Sequence, residues 1–501
     1  MRCHDFWGWL STASDADPVE FLQKALATGR TSGLVGEFAA HLSDGVRAVL
    51  VRDPMGVVPL YYGWSATGGL RVDADLRAVR ESCWDGTLDH DYAARLFMQA
   101  PADPARTVFN GVFQVPPGSI VVLEGTTRRL SRYFDSRRVK RRPMGVAQAK
   151  SLLRSAVLAA VSDALASAGG APVAAHLSGG LDSTMVAAAA QRLLGSQGQA
   201  LAAGYGWIAS DVRSPDGSPD EHDRSIRIGA ALGVRMRCVT KADMRAALSD
   251  PHLDPLIFLL HTMVQYETVI LGWAREAGVT TILSGWGGDE AASAGGTPPF
   301  GWMVGQGEFR QAWQQVKAEA AAGGTGEWRV LARAGARPVR SAWRVLRPPA
   351  TAMDRAWRDV NRSAFRSKRR TFRLLEPPHQ RQSRLLHLGH VERRTAAWWL
   401  MGRQFGVEYR FPLLDRRVIE VACSLPPPVF RRDGKSRWLF QELLAELVPT
   451  QKFVTKAPEP DRVRHHLPEW PPTTDLIHTM YPELADIAAP LDLYWTSARS
   501  V

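Results

Sequence analysis

Two short strings hold the residues best suited to chemistry: Ser178-Gly179-Gly180-Leu181-Asp182-Ser183 and Ser284-Gly285-Trp286-Gly287-Gly288-Asp289-Glu290. In the first, the glycines permit positive φ and close approach of the backbone to a ligand. The stretch after it, Thr184 to Leu194, is Ala-rich and reads as a helix. Its first N–H groups and the positive end of its dipole then face the glycine turn. That arrangement cradles phosphate. Ser178 and Ser183 add hydroxyl donors, and Asp182 adds a carboxylate able to hold Mg²⁺. Asp289 supplies a second carboxylate. Two carboxylates from different loops can hold the metal while phosphate oxygens complete its shell. Neither a GxxxxGK[ST] string nor a GxGxxG with a following acidic residue is present, so a Walker A loop and a dinucleotide site are excluded.

Each string follows an apolar run that reads as a strand, Ala171 to Leu177 and Val279 to Leu283. Between them, Ala200 to Ile208 and Val234 to Val239 read as strands, and Arg224 to Leu232 and about 261–277 as helices. A further amphipathic helix, Gln148 to Ala168, leads into the first string. Strands alternating with helices predict a parallel α/β sheet with ligands beyond the carboxyl ends of its strands. Residues 1–135 read differently, as short strands and turns of a sheet sandwich. There Ala48 to Val51, the turn Arg52 to Gly56 and Val57 to Tyr62 predict a hairpin. Residues 136–150 are basic and read as a linker, and 151–501 as a second domain with a basic helical insertion at about 300–385. Within it, the Arg-rich, Trp-studded stretch 328–373 reads as a solvated helical face rather than a docking surface.

With 501 residues the chain has room for two or three domains, and 45% hydrophobic and 22% charged residues are an ordinary globular balance. The net charge of +12 suits an anionic substrate or partner, but no nucleic-acid module accompanies the basic runs, so no nucleic-acid partner is expected. No apolar run reaches about 18 residues, which predicts no membrane-spanning helix. The first residues lack a secretory signal pattern. Four cysteines, Cys3, Cys83, Cys238 and Cys423, lie scattered without CxxC spacing, which argues for a reducing cytoplasm and against structural zinc or a disulfide framework.

The string SGGLDS resembles the pyrophosphatase loop of the ATP alpha-hydrolases (PP-loop), which cleave ATP to AMP and pyrophosphate and adenylate a substrate. The resemblance implies ATP and Mg²⁺, with Leu177, Ser178, Gly179, Gly180, Leu181, Asp182 and Ser183 at the nucleotide. The second string resembles the SGxGxDE loop of asparagine synthetases, which implies nucleotide contacts from Ser284 and Gly285 and metal ligation by Asp182 and Asp289. LVGEFAAHLSDGVRAVLVRDPMGVVPLYY resembles the glutaminase domain of class B asparagine synthetases, an N-terminal-nucleophile sandwich. The active domain needs cysteine as the first residue of the mature chain, with its own α-amine as base. Here Arg2 follows Met1 and Cys3 comes one position late, so an inactive glutaminase-like domain is expected, with Cys3 a bystander. Glu408 to Asp415 (EYRFPLLD) resembles the E-x-R-x-P-F-L-D segment, which would set Arg410 and Asp415 behind the site. Lys435 and Lys456 match the contexts of that family's paired lysines near pyrophosphate, where an ammonium suits phosphate oxygens. Lys456 would also stabilise charge that develops in acyl transfer.

Position 286 departs from both comparisons. It is Glu in asparagine synthetases and Tyr in β-lactam synthetases. Trp286 is only a hydrogen-bond donor and cannot act as a base. It would instead form an apolar wall that keeps water from an acyl-adenylate. GWGGDE resembles lasso-peptide cyclases, which adenylate an Asp or Glu side chain of a core peptide and close it onto the N-terminal amine, releasing AMP and pyrophosphate. That resemblance implies catalytic roles for Lys456, Lys435 and Trp286, a precursor peptide as substrate, a leader peptidase and a leader-recognition protein as partners, and a cytoplasmic location. The alternatives are an asparagine synthetase using ammonia or glutamine, a β-lactam synthetase-like amide ligase, and a nucleotide-binding scaffold without catalysis.

Overall fold

The computed structural model describes residues 2–12, 17–98, 100–125, 127–206, 221–240, 242–243, 265–294, 299–334, 352–371, 378–448 and 482–488. The amino-terminal strands are β1 (Arg2–Leu10), β2 (Gly36–Ser43), β3 (Arg47–Arg52), β4 (Tyr61–Trp64), β5 (Leu70–Asp73), β6 (Val112–Gln114), β7 (Ser119–Glu124) and β8 (Thr127–Arg132). They form an antiparallel sheet in the order β1-β2-β3-β7-β8 and a smaller one in the order β5-β4-β6. Helices α1 (Pro18–Thr28), α2 (Leu76–Cys83) and α3 (His90–Phe97) complete this part. Alternation along the strands explains the layering. Phe38, Ala40, Leu42, Val49 and Val51 turn toward Leu22 and Ala25 of α1, and Ala39, Ala48 and Leu50 turn toward Leu60 and Tyr62 of the smaller sheet.

The predicted hairpin at 48–62 does not form. β3 pairs with β2 and β7, whereas β4 belongs to the other sheet. The backbone between them is taken by side chains instead. Asp53 accepts the N–H groups of Met55 (3.0 Å), Val57 (3.0 Å) and Val58 (2.9 Å). Arg52, with no exposure, donates to the carbonyls of Val58 (2.8 Å), Val115 (2.9 Å) and Gly56 (2.7 Å). Groups satisfied this way have nothing left for a ladder.

The second part is α4 (Val146–Ala166), β9 (Val173–His176), α5 (Leu181–Gly195), β10 (Gly204–Gly206), α6 (Glu221–Leu232), β11 (Met236–Cys238), α7 (Gln265–Glu276) and β12 (Thr281–Leu283). Then come α8 (Phe300–Gly305), α9 (Phe309–Ala322), α10 (Ala352–Val360), α11 (Arg362–Thr371), α12 (Pro378–Leu385), α13 (His390–Phe405), β13 (Glu408–Arg410) and α14 (Arg416–Ser424). A two-residue-per-strand hairpin, β14 (Arg431–Arg432) and β15 (Lys435–Ser436), leads into α15 (Trp438–Leu447). The sheet is parallel throughout, in the order β11-β10-β9-β12-β13. Strand order therefore reverses between β9 and β12, and a crevice opens beyond their carboxyl ends. Both glycine strings leave the sheet there. One face of the sheet (Val173, Ala175, Leu177, Leu283) packs on α4, α5 and α15. The other (Ala174, Ile282, Tyr409) packs on α7 and α13. Each Val, Leu or Ile side chain so buried contributes about 1.5–3 kcal/mol, and each Ala less.

The two parts share a core. Met55, Val57 and Phe134 pack with Ile282, Trp398 and Phe411. Glu37 of β2 accepts the N–H of Phe411 at 2.6 Å and the indole N–H of Trp9 at 3.3 Å. Burial pushes Glu37 up to about 7. The basic stretch 136–150 is pinned rather than loose: Arg142 N donates to Ser424 O at 2.9 Å, Arg141 bonds Leu425 O and Gln382, and α4 already begins at Val146. The basic helices α10 and α11 are not simply solvated. Their Trp357, Ala364 and Phe365 are buried in one cluster with Tyr61, Tyr92 and Leu96, and Asn361 donates to Asp91 at 3.0 Å. Among the described residues no helix is long and apolar enough to cross a membrane. All four cysteines are free.

Candidate active site

The first loop runs from His176 to the start of α5. Gly179 takes φ +76°, which a glycine adopts without strain, and Gly180 is the N-cap. Hydroxyls close the turn: Ser178 N donates to Ser183 Oγ at 3.2 Å, and Thr184 Oγ1 donates to Gly180 O at 2.6 Å. The helix carries Asp182 in its first turn, beside the second loop.

In the second loop, Ser284 N donates to Arg410 O at 2.8 Å, which ties the loop to β13. Thus Arg410 supports the loop from behind, while Asp415 caps α14 through the N–H of Arg417. The loops meet backbone to backbone. A Cβ on Gly285 would lie 2.4 Å from Ser183 N, and one on Gly288 would lie 2.3 Å from Asp182 Oδ1. Both glycines are therefore required by contact rather than by a positive φ.

This packing brings Asp182 and Asp289 to one guanidinium. Arg437 Nη1 lies 3.4 Å from Asp182 Oδ2, and its Nη2 pairs with Asp289 Oδ1. Arg437 follows β15 with φ +56°, in the left-handed region. Burial, then the charge of Asp289, raises Asp182 to about 8, against the pull of Arg437. Asp182 Oδ1 is sealed from solvent and accepts no hydrogen bond among the described residues. A buried carboxylate oxygen without a donor, beside a second carboxylate and an attracted cation, fits a divalent cation. Among the described residues no cluster of three or more His, Cys, Asp or Glu could hold a metal. Two carboxylates with substrate oxygens completing the shell is the pattern Mg²⁺ takes at phosphates.

Trp286 is partly buried, with the Arg394 guanidinium 4.0 Å from its ring centroid. The same guanidinium lies 4.5 Å from Trp398, so the cation is held against both rings. Burial lowers Arg394 to about 10, which leaves it charged at neutral pH. His390 meets Trp286 edge-on at 6.2 Å, and its Nε2 lies 2.9 Å from Glu290 Oε1. Beneath the loop, His176 Nδ1 lies 3.3 Å from Ser284 Oγ and its Nε2 lies 3.2 Å from Glu267 Oε2, which also accepts from Tyr409 OH at 2.6 Å.

Of the site residues expected from sequence, Leu177, Ser178, Gly179, Gly180, Leu181, Asp182, Ser183, Ser284, Gly285, Trp286 and Asp289 are brought together. Lys435 is exposed on β15, and Arg437, two residues on, takes the place at the carboxylates. Lys456 lies outside the described residues. Sequence reasoning missed Arg437, His390, Arg394 and the His176–Glu267–Tyr409 group. The one local signal was the spacing of 390, 394 and 398, which puts His390, Arg394 and Trp398 on one face of α13.

A model of the asparagine synthase family matches residues 152–465, more than half of the chain and all of the two-loop site. The chain belongs to the asparagine synthase family. Its amino-terminal sheets match a glutamine amidotransferase domain over residues 9–134. Within the family's reach is the protein named probable asparagine synthetase (glutamine-hydrolyzing) of Dictyostelium discoideum, 26% identical over 187 residues. That match covers 36% of this chain and 28% of the Dictyostelium protein.

Proposed function

We propose that this asparagine synthase family member is an ATP-dependent amide ligase that cyclises a peptide. An Asp or Glu side-chain carboxylate of the peptide attacks the α-phosphate of ATP, and the peptide's N-terminal amine then displaces AMP to close a macrolactam. The carrying observation is the junction of the loops, where Asp182 and Asp289 converge beside Trp286. The first loop's N–H groups and hydroxyls hold phosphate oxygens. Asp182 and Asp289 would hold Mg²⁺, which when bound neutralises triphosphate charge. Arg437, beside the two carboxylates, and Lys435 and Lys456 would supply cations to the departing pyrophosphate. Trp286, braced by Arg394 and Trp398, excludes water from the activated acyl group. Since both reacting groups belong to one peptide, orientation supplies much of the rate. A leader peptidase and a leader-recognition protein would prepare such a substrate.

The amino-terminal domain would not act as a glutaminase. Burial, then the nearby Asp5, raises the Cys3 thiol, and Cys3 Sγ donates to the carbonyl of Asp5 at 3.3 Å. A nucleophile needs the opposite. The second reading is an asparagine synthetase, favoured by the name of the Dictyostelium relative. The test is mass spectrometry of a linear peptide bearing a free N-terminus and an internal acidic residue, incubated with protein, ATP and Mg²⁺. AMP formation with loss of one water from the peptide supports cyclisation. AMP formation with aspartate and ammonia, and none with peptide, establishes the second reading.

A further inference from the structure

We propose that His390 is the general base of the amide-forming step, held in place by Glu290. The inference rests on the cyclisation reading and adds the residue that takes the proton. Attack by an amine on an acyl-adenylate forms the C–N bond, breaks the C–O bond to AMP and leaves one surplus proton on nitrogen. A base beside the amine that takes this proton as the C–N bond forms lets AMP depart without waiting to accept it. At the wall, Trp286 has no lone pair to offer that proton, so the base is sought among its neighbours.

Among the described residues, two histidines lie near that wall. His176 is 4% exposed, and its two ring nitrogens face Ser284 and Glu267, so it supports the loop from below. His390 differs in two ways: its side chain is 31% exposed, and its ring meets Trp286 edge-on at 6.2 Å. Like His176 it has a carboxylate partner, with its Nε2 2.9 Å from Glu290 Oε1. The carboxylate fixes the tautomer: Nε2–H donates to Glu290, and Nδ1 carries the lone pair. Glu290 then stabilises the imidazolium that forms, as a carboxylate does behind a catalytic histidine. Both partners sit on framework fixed by the two-loop packing. Glu290 follows Asp289 in the second loop, and His390 opens α13, whose Arg394 and Trp398 brace Trp286. The base is therefore positioned by the same elements that position the carboxylates.

The experiment separates the two half-reactions in the full-length protein. ATP–pyrophosphate exchange with the linear peptide reads adenylation, and mass spectrometry reads cyclic against linear product. For His390→Gln, exchange should stay within about threefold of wild type while cyclisation falls about 10²–10⁴-fold, the range general-base removal spans. AMP should then appear with linear peptide, because water consumes the stalled adenylate. His390→Ala should behave alike and regain cyclisation when imidazole is added, which a merely structural role does not predict. Thermal unfolding confirms that both variants fold. Wild-type cyclisation in His390→Gln overturns the assignment alone, as does a parallel loss of exchange and cyclisation in both folded variants. Absence of any peptide-dependent product in wild type overturns the cyclisation reading and this assignment with it.

Discussion

Asp53 lies in the turn after β3 and Asp182 in the first turn of the helix that follows β9, and they meet opposite fates. Asp53 is 1% exposed, yet three backbone N–H groups and Arg52 answer its charge, and it rises only to about 6. The Asp182 side chain is 16% exposed, yet its carboxyl rises to about 8, first through burial and then through the charge of Asp289, which Arg437 only partly offsets. Burial alone therefore does not mark a functional carboxylate. The mark is a pair of carboxylates crowded onto one guanidinium, where a bound cation would relieve the repulsion that the protein's own cation leaves.

Substitutions sharpen this contrast. Asp182→Asn keeps the shape and removes the charge. It should lower AMP formation at least about 10³-fold, the several kcal/mol that metal-borne charge stabilisation supplies, and leave thermal stability nearly unchanged. Asp53→Asn reverses the pattern. Its amide would face N–H groups that need an acceptor, so stability should fall by about 2–4 kcal/mol in denaturant titrations, with AMP formation per folded molecule preserved. Gly288→Ala places a methyl group against Asp182 Oδ1 and should cost about 10²-fold in AMP formation, since a displacement of roughly 1 Å suffices for that. Unchanged turnover there would show that the loops do not need their close contact.

Glu37 tests the seam between the two domains. Its folded value near 7 lies above the ordinary carboxylate range, so the folded state holds the proton to higher pH than the unfolded chain. Its contribution is complete below the unfolded value and is lost as pH rises to about 7, on the order of 3 kcal/mol in total. Stability of Glu37→Gln, measured from pH 5 to 8, should lack that share of the decline. The smallest effect belongs to Cys3→Ser, which should change neither AMP formation nor stability by more than about 0.5 kcal/mol.

What could be read in advance was local. A glycine-serine-aspartate string between an apolar run and an Ala-rich run specifies strand, loop and helix within a dozen or so positions, and both strings came out where the alternation of elements put them. The hairpin at 48–62 failed because Asp53 and Arg52 consume the backbone groups a ladder would use, and side-chain capture leaves no trace in hydrophobic period. Lys435 stood out by type and context, whereas Arg437, two residues on, did not, and it is the short hairpin β14–β15 that carries Arg437 to the carboxylates. His390 was invisible for a similar reason. Its spacing with Arg394 and Trp398 shows a shared helix face, but what that face meets depends on packing against a loop far away in sequence.

The most direct test of the contrast is binding of Mn²⁺, read by electron paramagnetic resonance, with a non-hydrolysable ATP analogue present. Wild type and Asp53→Asn should hold the ion alike, and Asp182→Asn should lose it. Equal binding by all three proteins would contradict the claim that Asp182, at the loop junction, is a cation ligand.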